Sequence, residues 1–190
     1  MKIGLFGGTF NPIHNGHLII AKEIKKKLDL DYIYFIVSGN PPHKSSDVLH
    51  FKYRYQMTAM AIQDTDCFKI SPVEINSKYK YTYQTINYFK KKFPDDEIVN
   101  IIGEDSYLQI DKWKKGKSLF DMCKFVVYAR FGKVKPQRHC NVIFVNEPII
   151  GISATKIRNK IRSGKNIEYL LPNNVSRYIV NHKFYRRGKI

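Results

Sequence analysis

Short runs that are almost wholly apolar alternate along this chain with longer stretches in which apolar residues recur every three or four positions. The short runs are Lys2 to Phe6, Tyr32 to Val37, Ile98 to Ile102, Phe125 to Ala129 and Val142 to Val145, and Phe68 to Ile75 is a further extended stretch broken by Pro72. Their length and their β-branched and aromatic content predict strands, with Tyr32 to Val37 and Ile98 to Ile102 buried on both faces. Helices are predicted from Leu18 to Leu28, Tyr53 to Gln63 and Thr82 to Phe93, where Pro94 ends the last. The tail turns helical from Ser153 and again from about Asn173. Strand, crossover helix, strand is the order of a parallel sheet covered on both sides. Right-handed crossovers make this a doubly wound, Rossmann-like α/β fold with C-terminal helices. The 190 residues show no internal repeat or linker and fit a single domain, 1–190. Such sheets bind ligands beyond the carboxyl ends of their strands, where the strand order reverses.

The polar clusters of the chain fall after strands, on that edge. Gly7-Gly8-Thr9-Phe10-Asn11-Pro12-Ile13-His14-Asn15-Gly16-His17 lies between the first strand and the first helix. The two glycines allow a tight turn whose amides approach an anion, and the helix start adds its own N–H groups. His14 and His17, three apart, share one face of the first turn, and Gly16 leaves room for a ligand. Two imidazoles there can donate to charge that builds up on phosphoryl oxygens. No third Cys, His or carboxylate accompanies them, so a metal site is not expected. The segment is neither a dinucleotide Gly-x-Gly-x-x-Gly nor a P-loop.

Far along the chain, Ile152-Ser153-Ala154-Thr155-Lys156-Ile157-Arg158 opens a helix. Ser153 is a natural N-cap. Lys156 and Arg158 place cations where the helix dipole opposes them, a conflict that an anionic phosphate tail removes. Asn40-Pro41-Pro42-His43-Lys44 forms a stiff loop after the second strand, and Lys44 offers a point charge for phosphate or serves as a surface lysine. Tyr81-Thr82-Tyr83-Gln84-Thr85 opens another helix, with Thr82 as its cap and Tyr83 in the core. Gly103-Glu104-Asp105 follows the fourth strand. Trp113 is either a stacking surface for a flat ring or a core residue.

Composition changes the picture in one respect. Hydrophobic content of 43% and charged content of 26% are ordinary, but 33 Lys plus Arg against 16 Asp plus Glu leave a net charge of +17. That balance favours anionic partners. Much of it sits in Lys25-Lys26-Lys27, Lys90-Lys91-Lys92 and Lys114-Lys115, which read as solvated helix faces. A nucleic-acid-binding module is a weaker alternative, because the basic residues are scattered and no reader motif is present. Cys67, Cys123 and Cys140 form no zinc or disulfide pattern and two of them border apolar runs, as buried reduced thiols do. With no signal-like or membrane-spanning run, a cytoplasmic setting without membrane partners is expected.

These motifs resemble a known family. His14-Asn15-Gly16-His17 matches the His-x-Gly-His signature of the adenylyl- and cytidylyltransferase superfamily. The string from Gly7 is similar to the nicotinate-nucleotide adenylyltransferases, with Asn11 where an Asp is more usual. Ile152 to Arg158 resembles the superfamily's second motif, Ile-Ser-x-Thr-x-Ile-Arg. The resemblance extends through Thr82-Tyr83-Gln84-Thr85, Gly103 to Asp105, Trp113 and Arg130 to the last helix.

It implies transfer of AMP from ATP to nicotinic acid mononucleotide in NAD biosynthesis, with Mg²⁺ held mainly by the ATP phosphates. His14, His17, Lys44 and Arg158 are then catalytic. ATP is held by Gly7, Gly8, Thr9, Phe10, His14, Gly16, His17, Gly103, Asp105, Ile152, Ser153, Thr155 and Arg158. The mononucleotide is held by Thr9, Asn11, Lys44, Thr82, Tyr83, Thr85, Trp113, Lys114 and Arg130, with helix-opening amides, that of Thr85 included, receiving the pyridine carboxylate. Nicotinamide mononucleotide and phosphopantetheine are the alternative acceptors. Specific nucleic-acid binding is not expected, and monomer or homo-oligomer stays open.

Overall fold

In a computed structural model of the chain, the described residues are 1–39, 48–75, 81–129, 139–146 and 150–186. Six parallel strands form one sheet: β1 (Lys2–Gly8), β2 (Tyr32–Val37), β3 (Phe68–Ser71), β4 (Glu97–Gly103), β5 (Lys124–Tyr128) and β6 (Val142–Val145). Their order across the sheet is β3-β2-β1-β4-β5-β6. The chain winds outward from β1 in one direction and from β4 in the other, so the order reverses between these two neighbours. Among the described residues the α-helices are α1 (Asn15–Leu28), α2 (Phe51–Ile62), α3 (Thr82–Lys92), α4 (Glu104–Tyr107), α5 (Ala154–Arg162) and α6 (Asn173–Asn181).

Side chains alternate between two cores, as the pleat requires. Phe6, Phe35, Val37, Ile101 and Val126 face the core roofed by Ile20 and Ile24 of α1, Met57 of α2, Ile157 of α5 and Ile179 of α6. Leu5, Ile36, Ile102 and Val127 face the other, closed by Ile86 and Phe89 of α3. The Asn174 side chain donates to the Met60 carbonyl at 2.7 Å and helps dock α6 on α2.

The expected strands and helices lie where the apolar pattern places them, with differences at the ends, and the short α4 is an addition that the pattern did not predict. β3 stops at Ser71, because Pro72 has no N–H to continue the ladder. β1 continues through Gly8 in register with Val37, so Gly7 and Gly8 are strand rather than turn. The reversal comes at Phe10, whose φ is 45°. Gly8 is required for another reason: a Cβ there would lie 2.9 Å from the Phe10 ring. Lys25 to Lys27 and Lys90 to Lys92 occupy the last turns of α1 and α3, where cations complement the helix dipole. Cys67 and Cys123 are half-buried rather than buried, and Cys140 is exposed. Burial still pushes the Cys123 thiol up to about 12.

Candidate active site

β1, β2 and β4 end together, and the segments leaving them build the site. After Phe10, α1 opens with His14 at its cap. The rings of His14 and His17 stack with centroids 3.7 Å apart. The His14 backbone N–H donates to Nδ1 of His17 at 3.2 Å. A neutral His17 therefore carries its proton on Nε2, which becomes a hydrogen-bond donor. The Phe10 ring braces His17 edge-on at 5.0 Å. The room expected at Gly16 is taken by protein: a Cβ there would meet the His14 ring at 3.0 Å and Ile150 at 3.1 Å. Gly16 thus lets the imidazole pack down on the helix.

The distant second motif reaches this turn directly. Ser153 caps α5 by accepting from the Lys156 N–H at 3.2 Å. Arg158 donates to the Asn11 carbonyl at 2.9 Å and to the Thr155 hydroxyl at 3.3 Å. Asn11 is a junction: its side-chain oxygen accepts from the Leu49 N–H at 3.2 Å and the Tyr185 hydroxyl at 2.8 Å. Asn11 thus ties together the segments that hold Leu49, Arg158 and Tyr185. No acidic residue stands in the first turn of α1, α3 or α5, so the helix ends keep their positive potential. By contrast, α4 begins with Glu104 and Asp105, and a Cβ on Gly103 would lie 2.6 Å from the Asp105 carboxylate. Gly103 therefore lets that carboxylate fold back over the end of β4.

On the other side of the edge, Thr82 is not the cap of α3. Tyr81 is, with Gln84 accepting its N–H at 3.1 Å. The Thr85 N–H already donates to the Tyr81 carbonyl at 3.3 Å. The helix-opening amides that precede such bonds belong to Thr82 and Tyr83, three and two residues before Thr85. Tyr83 is partly buried against the second core, and the Lys115 ammonium lies 4.7 Å from its ring centroid. The segment holding Trp113 and Lys114 therefore comes to this helix. Trp113 is half-buried, one side on the core, and Lys114 is exposed. Asn40, Pro41, Pro42, His43, Lys44 and Arg130 lie outside the described residues.

Two residues escaped the sequence reading. Arg54 of α2 is only 1% exposed. It donates to the carbonyls of Leu49 at 2.8 Å, Thr9 at 2.7 Å and Ser38 at 2.8 Å, tying together the segments that leave β1 and β2. Burial lowers its pKa to about 10, so it stays charged at neutral pH. Glu74, beyond β3, accepts from the Thr85 hydroxyl at 3.0 Å. Desolvation raises its carboxyl to about 7, against the opposing pull of Thr85, the Gly39 N–H and the charge of Arg54. A signal for Arg54 was available: Phe51, Arg54, Met57, Thr58 and Ile62 form the buried stripe of α2, and a charge on such a stripe needs internal partners.

The cytidylyltransferase-like family matches residues 5–160. A protein of Clostridium novyi named "Probable nicotinate-nucleotide adenylyltransferase" is 42% identical over 184 residues, covering 90% of this chain and 92% of its own. The chain belongs to the nicotinate-nucleotide adenylyltransferase family. A relative of the same name from Clostridium tetani is 40% identical, over 97% of this chain and 99% of its own. In fold, the chain is similar to a Plasmodium falciparum nicotinic acid mononucleotide adenylyltransferase complexed with NaAD, with a TM-score of 0.85, 20% identity and 97% of each chain covered. As a nucleotidyltransferase, it has the six-stranded parallel sheet and flanking helices expected of the family. Among the described residues, no helix is long and apolar enough to cross a membrane.

Proposed function

We propose that this chain transfers AMP from ATP to the phosphate of nicotinic acid mononucleotide, yielding nicotinic acid adenine dinucleotide and pyrophosphate in NAD biosynthesis. The observation that carries the reading is the joining of the two motifs by Arg158, beside the stacked His14 and His17. A phosphate oxygen of the acceptor attacks the α-phosphorus in line. The bond from that phosphorus to the β-bridging oxygen breaks, and its electrons leave with pyrophosphate. The nucleophile is already an anion, so no general base is needed, and catalysis rests on positioning and charge stabilisation.

In this reading His14, His17 and Arg158 donate to the α- and β-phosphates, and Ser153 and Thr155 hold the tail. Gly7, Gly8, Thr9, Phe10, Gly16 and Ile152 shape the ATP side, where Gly103 and Asp105 meet a ribose. The first turn of α3, at Thr82, Tyr83 and Thr85, receives the acceptor's carboxylate, with Trp113 and Lys114 nearby. Lys44 and Arg130 are assigned to phosphate and acceptor on the family pattern alone. Mg²⁺ bound with the ATP phosphates would supply charge neutralisation on the leaving group. A Mg²⁺ of this kind would take its ligands mainly from phosphates and water. The cytoplasm is the setting assigned to this activity.

Pyrophosphate release with ATP and Mg²⁺ tests the proposal. Nicotinic acid mononucleotide should be used in preference to nicotinamide mononucleotide and phosphopantetheine. His17→Ala should lower turnover by ~10² or more, the scale of losing one transition-state donor. Equal use of all three acceptors, or near-normal turnover in the variant, would overturn the respective assignment.

A further inference from the structure

Glu74 puts a carboxyl group directly under the helix end assigned to the acceptor's carboxylate. It is held there from three directions. Thr85 of α3 donates its hydroxyl at 3.0 Å, Gly39 beyond β2 donates its backbone N–H, and Arg54 of α2 acts as a nearby positive charge. Gly39 also packs so closely that a Cβ would collide with the Glu74 carbonyl. Thr85 and the first-turn amides of Thr82 and Tyr83 share one turn of helix. Thr82 and Tyr83 precede Thr85 by three and two residues, roughly 3 to 4.5 Å of helix rise, so a ligand carboxylate at those amides would stand close to the Glu74 carboxyl.

Two carboxylates at that separation in a poorly hydrated place do not both ionise without cost. We propose that Glu74 is a proton-linked selectivity residue: binding of an acceptor that bears a carboxylate is coupled to protonation of Glu74, whereas binding of the corresponding amide is not. This rests on the acceptor reading given above.

The sign of the pH dependence follows. A bound acid raises the Glu74 pKa, so its binding takes up protons. Affinity for the acid then falls as pH rises through the free-enzyme value of about 7, while affinity for the amide stays level. Below that range Glu74 is already neutral and the acid meets no opposing charge. The Arg54 charge does not change over the same range, its pKa lying at about 10. Among the described residues, no further ionisable group contributes to the Glu74 shift.

The test is the ratio of kcat/KM for nicotinic acid mononucleotide over nicotinamide mononucleotide, followed from about pH 6 to pH 8.5. The acceptor phosphate titrates alike in both substrates, so the ratio cancels it. The ratio should fall by about tenfold in the wild type, equivalent to one pKa unit of coupling between the carboxyl groups. Glu74→Gln keeps an acceptor for Thr85 and Gly39 and removes the titration, so its ratio should stay flat across the range. Calorimetric titration of the wild type at pH 7, in two buffers of different ionisation enthalpy, should show proton uptake with the acid and none with the amide. That arm stands even if the variant does not fold. Acid preference that is constant with pH, a slope retained in Glu74→Gln, or equal proton uptake would overturn this proposal alone. Absence of acid preference at every pH would overturn the acceptor reading with it.

Discussion

Arg54 carries a full charge to the edge of the core and keeps it, because its planar fork reaches three carbonyls at once. Those carbonyls belong to the segments that deliver Thr9 and Ser38 to the site, so this residue fixes how two strand ends meet. Arg54→Met should cost about 3 kcal/mol or more, measured by chemical denaturation, since three buried acceptors lose their donor. Arg54→Lys should recover little, because one ammonium cannot span the same fork. A loss under about 1 kcal/mol in Arg54→Met would mean that water replaces the guanidinium. His17 illustrates the same scale from the chemical side. Its spacing from His14 is visible in sequence, but the ring stack and the bond that sets its tautomer are visible only in the fold.

Among the elements, α5 concentrates the conflict between stability and function. Its cap is Ser153, its first turn has no acidic residue, and Lys156 and Arg158 follow. Ser153→Asp separates the two roles. Aspartate caps as well as serine and suits the helix dipole, so thermal stability should hold or rise slightly. The same negative charge opposes a triphosphate tail, so KM for ATP should rise about tenfold, or roughly 1.4 kcal/mol, with KM for the acceptor little changed. A normal KM for ATP would remove Ser153 from the phosphate site. α3 shows the limit of reading caps from sequence. Thr82 looks like a cap by residue type, yet the Gln84 side chain turns back to the Tyr81 N–H and moves the helix start by one residue.

Over the whole molecule, the net charge is +17, and part of it lies in the lysine runs of the last turns of α1 and α3. Pairs such as Lys124–Glu97 at 2.7 Å and Lys117–Asp111 at 3.6 Å are exposed and offset little of it. Like charges at such density strain the compact state at low ionic strength. Raising NaCl from about 50 to about 300 mM should therefore raise the Tm by a few degrees as screening shortens from roughly 14 to 6 Å. A falling Tm would mean that attractive pairs outweigh the repulsion. The lysine runs at the ends of α1 and α3 belong to this scale: they complement helix dipoles at the edge of the sheet away from the site.

The alternation of apolar runs and amphipathic stretches determined the elements, and with them the parallel sheet and its functional edge. Period, β-branching and proline placement are local properties, and burial of both strand faces leaves few alternatives. The motif residues from Gly7 to His17 and from Ile152 to Arg158 were legible for the same reason, since helix starts and phosphate-binding turns are written in short segments. What only the tertiary structure decided are contacts between segments distant in the chain: Arg158 on the Asn11 carbonyl, Tyr185 on the Asn11 side chain, Arg54 across three carbonyls, and Glu74 beneath Thr85. A buried polar group must find its partner wherever the chain brings one, and that choice depends on packing rather than on sequence spacing.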